Sequence, residues 1–374
     1  MENKKIYLDF NASTPIAPEV GKAMKPFLSQ HYGNPSSLHW AGVPAKEAIE
    51  QARRQVAGLL ECSPGEIVFT SGGSESNNHA IKGTFFALKE KGDHIITTQI
   101  EHPAVINPCR FLERLGAEIT YVSVDKYGRV DPDDILKAIT PKTILITVMH
   151  ANNEVGTIQP IEEISKIAKD RGILFHTDAA QSVGKIETKI NELGVDLLSI
   201  AGHKLYAPKG VGALYIREGT PIEPLIHGAG HESGRRAGTE NVLLIVGLGK
   251  ACEIAKRYLH DHGILELRER FWEMLQENFS EEVVLNGYPT HRLPNTLNVS
   301  FVRRVGSEIL ARLDGVAAST GAACHSGSVE LSPVLKAMGI PPEAGMGAIR
   351  FSLGRTTTIT ELKAVVRDLR KILK

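Results

Sequence analysis

Apolar residues at Ala45, Ile49, Ala52, Val56 and Leu59 recur at the spacing of one helix face, which predicts an amphipathic helix over 45–60. After it, short apolar runs alternate with amphipathic segments for about 150 residues. The runs at 67–70, 94–100, 118–124, 143–149, 173–177 and 196–200 read as strands. Helical patterns lie between them: through Ile81, Phe85 and Leu88, from Pro103 onward, and over 131–139 and 161–171. Pro103 suits a first helical position, where a backbone N–H is not needed. Such alternation indicates βαβ units and a mostly parallel sheet. Near-continuous apolar strands further require that both faces of the sheet be covered.

The rhythm changes near residue 241. Two long helical patterns, 241–260 and 265–279, follow one another with no strand between them. Strands at 283–285, 296–301 and 348–353 come next, with a helix at 307–313. A last helix covers 360–373, preceded by Thr358 and Glu361 at capping-box spacing. We therefore expect an N-terminal arm (1–15), a large α/β domain (16–250) and a smaller α+β domain (251–374).

Composition narrows the class. The 374 residues leave room for two or three domains. Lysine plus arginine and aspartate plus glutamate both number 43, and this zero net charge argues against a nucleic-acid or acidic-membrane surface. No apolar run approaches the roughly 18 residues of a membrane span. The start, MENKKIYLDF, lacks the apolar stretch of a signal peptide, so a cytoplasmic protein is expected. Cys62, Cys109, Cys252 and Cys324 form no Cys-x-x-Cys pair, which argues against a zinc ribbon or a disulfide framework, and no metal site is expected.

Chemistry-bearing residues gather at the ends of the predicted strands. Asp178 closes one run and Lys204 follows the next, so a parallel sheet would deliver an acid and an amine to the edge where such sheets bind ligands. That pair suits pyridoxal 5'-phosphate, with the amine as Schiff-base partner and the acid against the ring nitrogen. His102 follows run 94–100, Asn152-Asn153-Glu154 follows run 143–149, and Gln181 lies just past Asp178. Gly72-Gly73-Ser74 follows a strand and opens a helix, whose positive end and free N–H groups suit a phosphate. Neither a GxGxxG fingerprint nor a Walker loop is present, so nucleotide binding has no support.

With these residues in place, the chain resembles the cysteine desulfurases, pyridoxal-phosphate enzymes related to class V aminotransferases. The matching stretches are YLDFNASTP, YGNPSSLH, TSGGSESNN, EHPAV, MHANNEVGTIQPI, HTDAAQSVGK, AGHKLYAPKGVG, RRAGTEN, STGAACHSG and IRFSLGR. The resemblance implies a fold-type-I transferase: a large α/β domain with a mostly parallel sheet plus a smaller α+β domain. It implies that Lys204 carries pyridoxal 5'-phosphate, Asp178 pairs with the ring nitrogen and His102 stacks on the ring. It places Asn153 and Gln181 near the ring oxygen and Gly73, Ser74, Ala201, Gly202 and His203 at the phosphate. Thr239 would reach the cofactor of a second subunit, which implies a homodimer.

Cys324 lies among small residues, Ala318 to Ser328, in a stretch that reads as a mobile loop. A thiol there, beside His325, is expected to be reactive, and the resemblance makes it the nucleophile that takes sulfur from L-cysteine as a persulfide and leaves L-alanine. The acceptor would be a sulfur-accepting or scaffold protein, as in iron–sulfur cluster assembly. Arg350, helped by Asn34 and Asn153, is expected to hold the substrate carboxylate, since a guanidinium matches it with two parallel hydrogen bonds; Arg355 is the alternative. The run Ala-Ala-Cys-His-Ser is similar to selenocysteine lyases, which brings in L-selenocysteine as a second substrate. A plain aminotransferase would share the cofactor but need no cysteine.

Overall fold

The computed structural model describes residues 5–320, 323–325 and 328–373, without the side chains of 323–325, 328 and 329. The chain enters through β1 (Ile6–Tyr7), which pairs in parallel with a strand far along the sequence, Val316–Ala317. The larger sheet follows, built from β2 (Ile67–Thr70), β3 (His94–Thr98), β4 (Glu118–Val122), β5 (Thr143–Thr147), β6 (Leu174–Asp178), β7 (Leu197–Ala201) and β8 (Gly212–Ile216). Its order is β2-β8-β7-β6-β5-β3-β4. The pairs among β3 to β7 are parallel, whereas β8 runs antiparallel to both β7 and β2. Every residue of β3, β5, β7 and β8 is buried, as cover on both faces demands. Strand β8 is absent from the sequence expectation; its apolar run, Gly212-Ala213-Leu214-Tyr215-Ile216, follows directly on the Lys204 turn.

Strand order reverses between β3 and β5. The chain steps outward from β3 to β4, returns to β5, and then proceeds the other way through β6 and β7. At such a switch point the loops leaving adjacent strands diverge and leave a crevice at the carboxyl ends. His102 leaves β3 and Asn153 leaves β5 at that crevice, with Asp178 and Lys204 one and two strands further on.

The helix Val43–Leu60 buries Ala45, Ile49, Ala52, Val56 and Leu59, the face read from the sequence, together with Ala57 and Leu60. Helix Val242–Tyr258 packs against it, and Ile245, Leu248, Ala251, Cys252, Ile254 and Ala255 share one core with the large sheet. The boundary expected at residue 250 therefore falls inside a helix that stays with the large unit along its length. A second core gathers Phe271, Leu275, Phe301, Phe351, Leu362 and Val365 around β9 (Val283–Asn286), β10 (Thr296–Phe301) and β15 (Ala348–Ser352). Ile6 and Leu8 of the arm also belong to this second core. The strand paired with β1 is β11 (Val316–Ala317); β12 (Ser319–Thr320) then joins the edge of the small sheet, in the order β12-β15-β10-β9. Where the sequence reads as a loop around Cys324, β13 (Ala323–His325) and β14 (Ser328–Glu330) pair antiparallel, with Cys324 opposite Val329.

Candidate active site

A cavity of about 600 Å³ opens at the switch point. Of the residues expected from sequence, Gly73, Ser74, His102, Asn153, Asp178, Gln181, Ala201, His203, Lys204 and Arg350 all line it. They come from six separate segments, and the sheet brings them together. Gly202 is buried in the short turn between Ala201 and Lys204. At the turn after β2, Gly72 adopts φ +145°, a conformation L side chains rarely take. Gly212 of β8 lies against that turn; a Cβ there would stand 2.7 Å from Gly72 Cα.

Asp178 is fixed from two sides. Asn77 Nδ2 donates to its Oδ2 at 2.6 Å and the Ala180 N–H donates to its Oδ1 at 2.9 Å. Asn77 sits one helical turn past Gly73, so a single helix start shapes both the glycine turn after β2 and the acid. Lys204 Nζ donates to the backbone carbonyls of Asn11 and Ala12, each at 2.8 Å. Burial and then the Arg350 charge depress its pKa to about 8, against opposing pulls from Asp178 and Asp9. His102 caps helix Pro103–Glu113, its Nδ1 accepting the Ala104 N–H at 3.1 Å. Partial burial lowers its pKa, with Asp178 opposing and Lys204 assisting. Burial, with Lys204, Lys209 and His102 as like-charged neighbours, pushes His203 down to about 4, so it offers a neutral N–H.

Arg350 projects from β15, opposite Ser319 of β12. Its Nη2 donates to Asp9 Oδ1 at 2.7 Å and to Ser319 Oγ at 3.1 Å, and its Nη1 to the Asn153 carbonyl at 2.9 Å. Its Nε is buried without a partner among the described residues. Arg355 lies elsewhere: its guanidinium is stacked between the rings of Tyr206 and Tyr258, 4.2 Å from each centroid. Asn34 does not line the cavity of its own chain; its Oδ1 accepts the Ser36 N–H and shapes an exposed turn. Thr239 is likewise exposed, on a neighbouring depression that shares only Ser71 and Gly210 with the cavity wall. The nucleophile assigned to Cys324 concerns a side chain outside the described residues.

The lining fits pyridoxal 5'-phosphate. A buried carboxylate, an amine with a lowered pKa and a helix-start turn meet in one cavity. Asn77 Oδ1 and Arg350 Nε are also buried there without partners among the described residues, as polar atoms awaiting a bound molecule would be. Three residues of this architecture escaped the sequence reading: Asn11, Asn77 and Lys185. Asn11 is 1% exposed, and its backbone carbonyl and side-chain oxygen accept from four side chains, Lys204, Gln181, Lys185 and Asn295. Its signal was a polar residue inside the turn-rich YLDFNASTP segment.

Comparison with known proteins gives the family and the fold. The family model "Aminotransferase class-V" matches residues 6–365. The cysteine desulfurase IscS of Dictyoglomus turgidum is 53% identical over 375 aligned positions, covering 99% of this chain and 95% of that protein. The IscS of Methanosarcina thermophila is 49% identical, covering 100% of this chain and 93% of its own length. Among solved structures, a NifS-like protein superposes with a TM-score of 0.93 at 39% identity, covering 99% of each chain. A structure described as SspA in complex with cysteine gives 0.84 at 40% identity, covering 93% of this chain and 98% of the other.

Proposed function

This chain belongs to the class-V aminotransferases and, within them, to the cysteine desulfurases, and from that premise we propose that it moves sulfur from L-cysteine through a persulfide on Cys324 to an acceptor protein. The observation that carries this reading is the convergence of Lys204, Asp178, His102 and Arg350 on one cavity. Lys204 would attach pyridoxal 5'-phosphate and Asp178 would hold its ring nitrogen. Gln181 and Asn153 would hold its ring oxygen, and Gly73, Ser74, Ala201, Gly202 and His203 its phosphate. The bound cofactor supplies an electron sink for charge developing at the substrate α-carbon.

The chain's own residues do the rest. Arg350, whose buried Nε has no partner among the described residues, takes the substrate carboxylate, while Asp9 and Ser319 keep the guanidinium plane fixed. Lys204, with its lowered pKa, is suited to move the α-proton as a general base. The Cys324 thiolate attacks the substrate sulfur: an S–S bond forms, the Cβ–S bond breaks, and its electron pair remains with Cβ, which takes a proton as alanine forms. Thr239, exposed and outside its own cavity, completes the phosphate site of a second subunit in a homodimer.

Alanine release, with total sulfide from L-cysteine or selenide from L-selenocysteine, measured separately for wild type and Lys204→Ala, tests the assignment. Turnover of L-cysteine that vanishes in Lys204→Ala is expected. A wild type that consumes only L-selenocysteine replaces this reading with the lyase, and a colourless, cofactor-free wild type that turns over neither contradicts both.

A further inference from the structure

Lys185 lies four residues past Gln181, behind the cavity wall. Its Nζ donates to Gln181 Oε1 at 2.8 Å and to Asn11 Oδ1 at 3.1 Å. Both acceptors are neutral amides. The acids of the region are engaged elsewhere, Asp9 with Arg350 and Asp178 with Asn77. Burial, reinforced by repulsion from Lys204 and Arg350, pushes the Lys185 ammonium well below the usual lysine range. A half-buried lysine amine hydrogen-bonded to neutral amides and given no counter-charge adds little to stability, so the fold itself gains little from placing one here.

The contacts at the other end of Gln181 show what it accomplishes. A glutamine amide has an acceptor end and a donor end of nearly equal size, and its neighbours decide which way it points. With Oε1 held by Lys185, Nε2 faces the opposite way and donates to the Asn11 carbonyl at 2.9 Å, the carbonyl that Lys204 also uses. Lys185 at once holds Asn11 Oδ1, which also accepts from Asn295 Nδ2 at 3.0 Å. We propose that Lys185 is a positioning residue: it fixes the amides of Gln181 and Asn11 so that Gln181 shows its N–H donors, not its oxygen, to the Lys204 side of the cavity.

The proposal rests on reading the cavity as a pyridoxal-phosphate site, and its test separates the two. Pyridoxal 5'-phosphate is titrated into cofactor-free wild type, Lys185→Met, Gln181→Met and the double variant, and the thermal unfolding of each cofactor-free protein is recorded. Losing one well-placed hydrogen bond predicts about tenfold weaker cofactor binding for Lys185→Met. The double variant then binds no more weakly than Gln181→Met alone, and cofactor-free Lys185→Met unfolds at the same or a higher temperature than wild type. Unchanged affinity in Lys185→Met, full additivity in the double variant, or a lower unfolding temperature each overturns the proposal. Wild type that fails to bind the cofactor overturns the cavity reading itself, and the proposal with it.

Discussion

Burial, and after it the charge of Arg350, works against the ammonium of Lys204. With a pKa near 8, about a tenth of it is the free amine at pH 7, against roughly three in ten thousand for an ordinary lysine. Only the free amine can attack the cofactor's aldehyde, so cofactor capture by cofactor-free protein is expected to rise with pH and level off above about 8. Arg350 supplies part of the depression, so Arg350→Met raises the lysine pKa and moves this curve to higher pH. A stopped-flow absorbance series across pH checks it, and superimposable curves for the two proteins would remove Arg350 from the account. Sequence placed Lys204, Asp178 and Arg350 because each sits at a strand end or in a strand of clear pattern. It left Arg350 and Arg355 unseparated, since two arginines five residues apart differ only in what their side chains meet: Asp9 and Ser319 for one, two tyrosine rings for the other. Asn34 was attractive for its polar loop, yet its side chain is occupied in forming the turn.

At the scale of elements, the parallel core was legible because doubly covered strands are written as apolar runs. Strand β8 escaped because its run follows so closely on the Lys204 turn that no helical pattern sets it apart. It matters to the site all the same, as Gly212 seats the Gly72–Gly73 turn against it. The helix Val242–Tyr258 shows the limit of reading boundaries from a change of rhythm: no strand precedes it, yet its apolar face completes the large core. Its approach to Val43–Leu60 depends on Gly249, where a Cβ would lie 2.5 Å from Ala52 Cα. Overpacking at such a contact is expected to make Gly249→Ala less stable by about 1–3 kcal/mol, read from denaturant unfolding. Stability equal to wild type would show that the two helices can part without cost. The segment around Cys324 could not be read as a ribbon, since its small residues carry neither strand nor helix periodicity.

Across the whole molecule, two cores meet at the cavity, and the arm ties them. Asp9 and Asn11 reach from the arm to Arg350, Lys204 and Gln181, while Ile6 and Leu8 are buried with the small sheet. No helix among the described residues is long and apolar enough to cross a membrane. The proposed homodimer carries its own expectation: mixing a Lys204→Ala subunit with a Thr239→Val subunit gives hybrid dimers in which one cavity of the two has lost both functions and the other is intact. Activity restored on mixing, to a fraction set by the hybrid population, supports the shared site; no recovery contradicts it. Strand β12 joins the two halves of the chemistry, since Ser319 contacts Arg350 and the chain continues from there toward Cys324. The central claim is that sulfur passes through that cysteine, and the most direct measurement is peptide mass spectrometry of cofactor-loaded protein after a single turnover of L-cysteine without reductant. We expect the Cys324 peptide to gain the mass of one sulfur atom in step with alanine release, and that gain to be absent with Lys204→Ala. Stoichiometric alanine with an unmodified Cys324 peptide, or the added sulfur on Cys62, Cys109 or Cys252 instead, would contradict it.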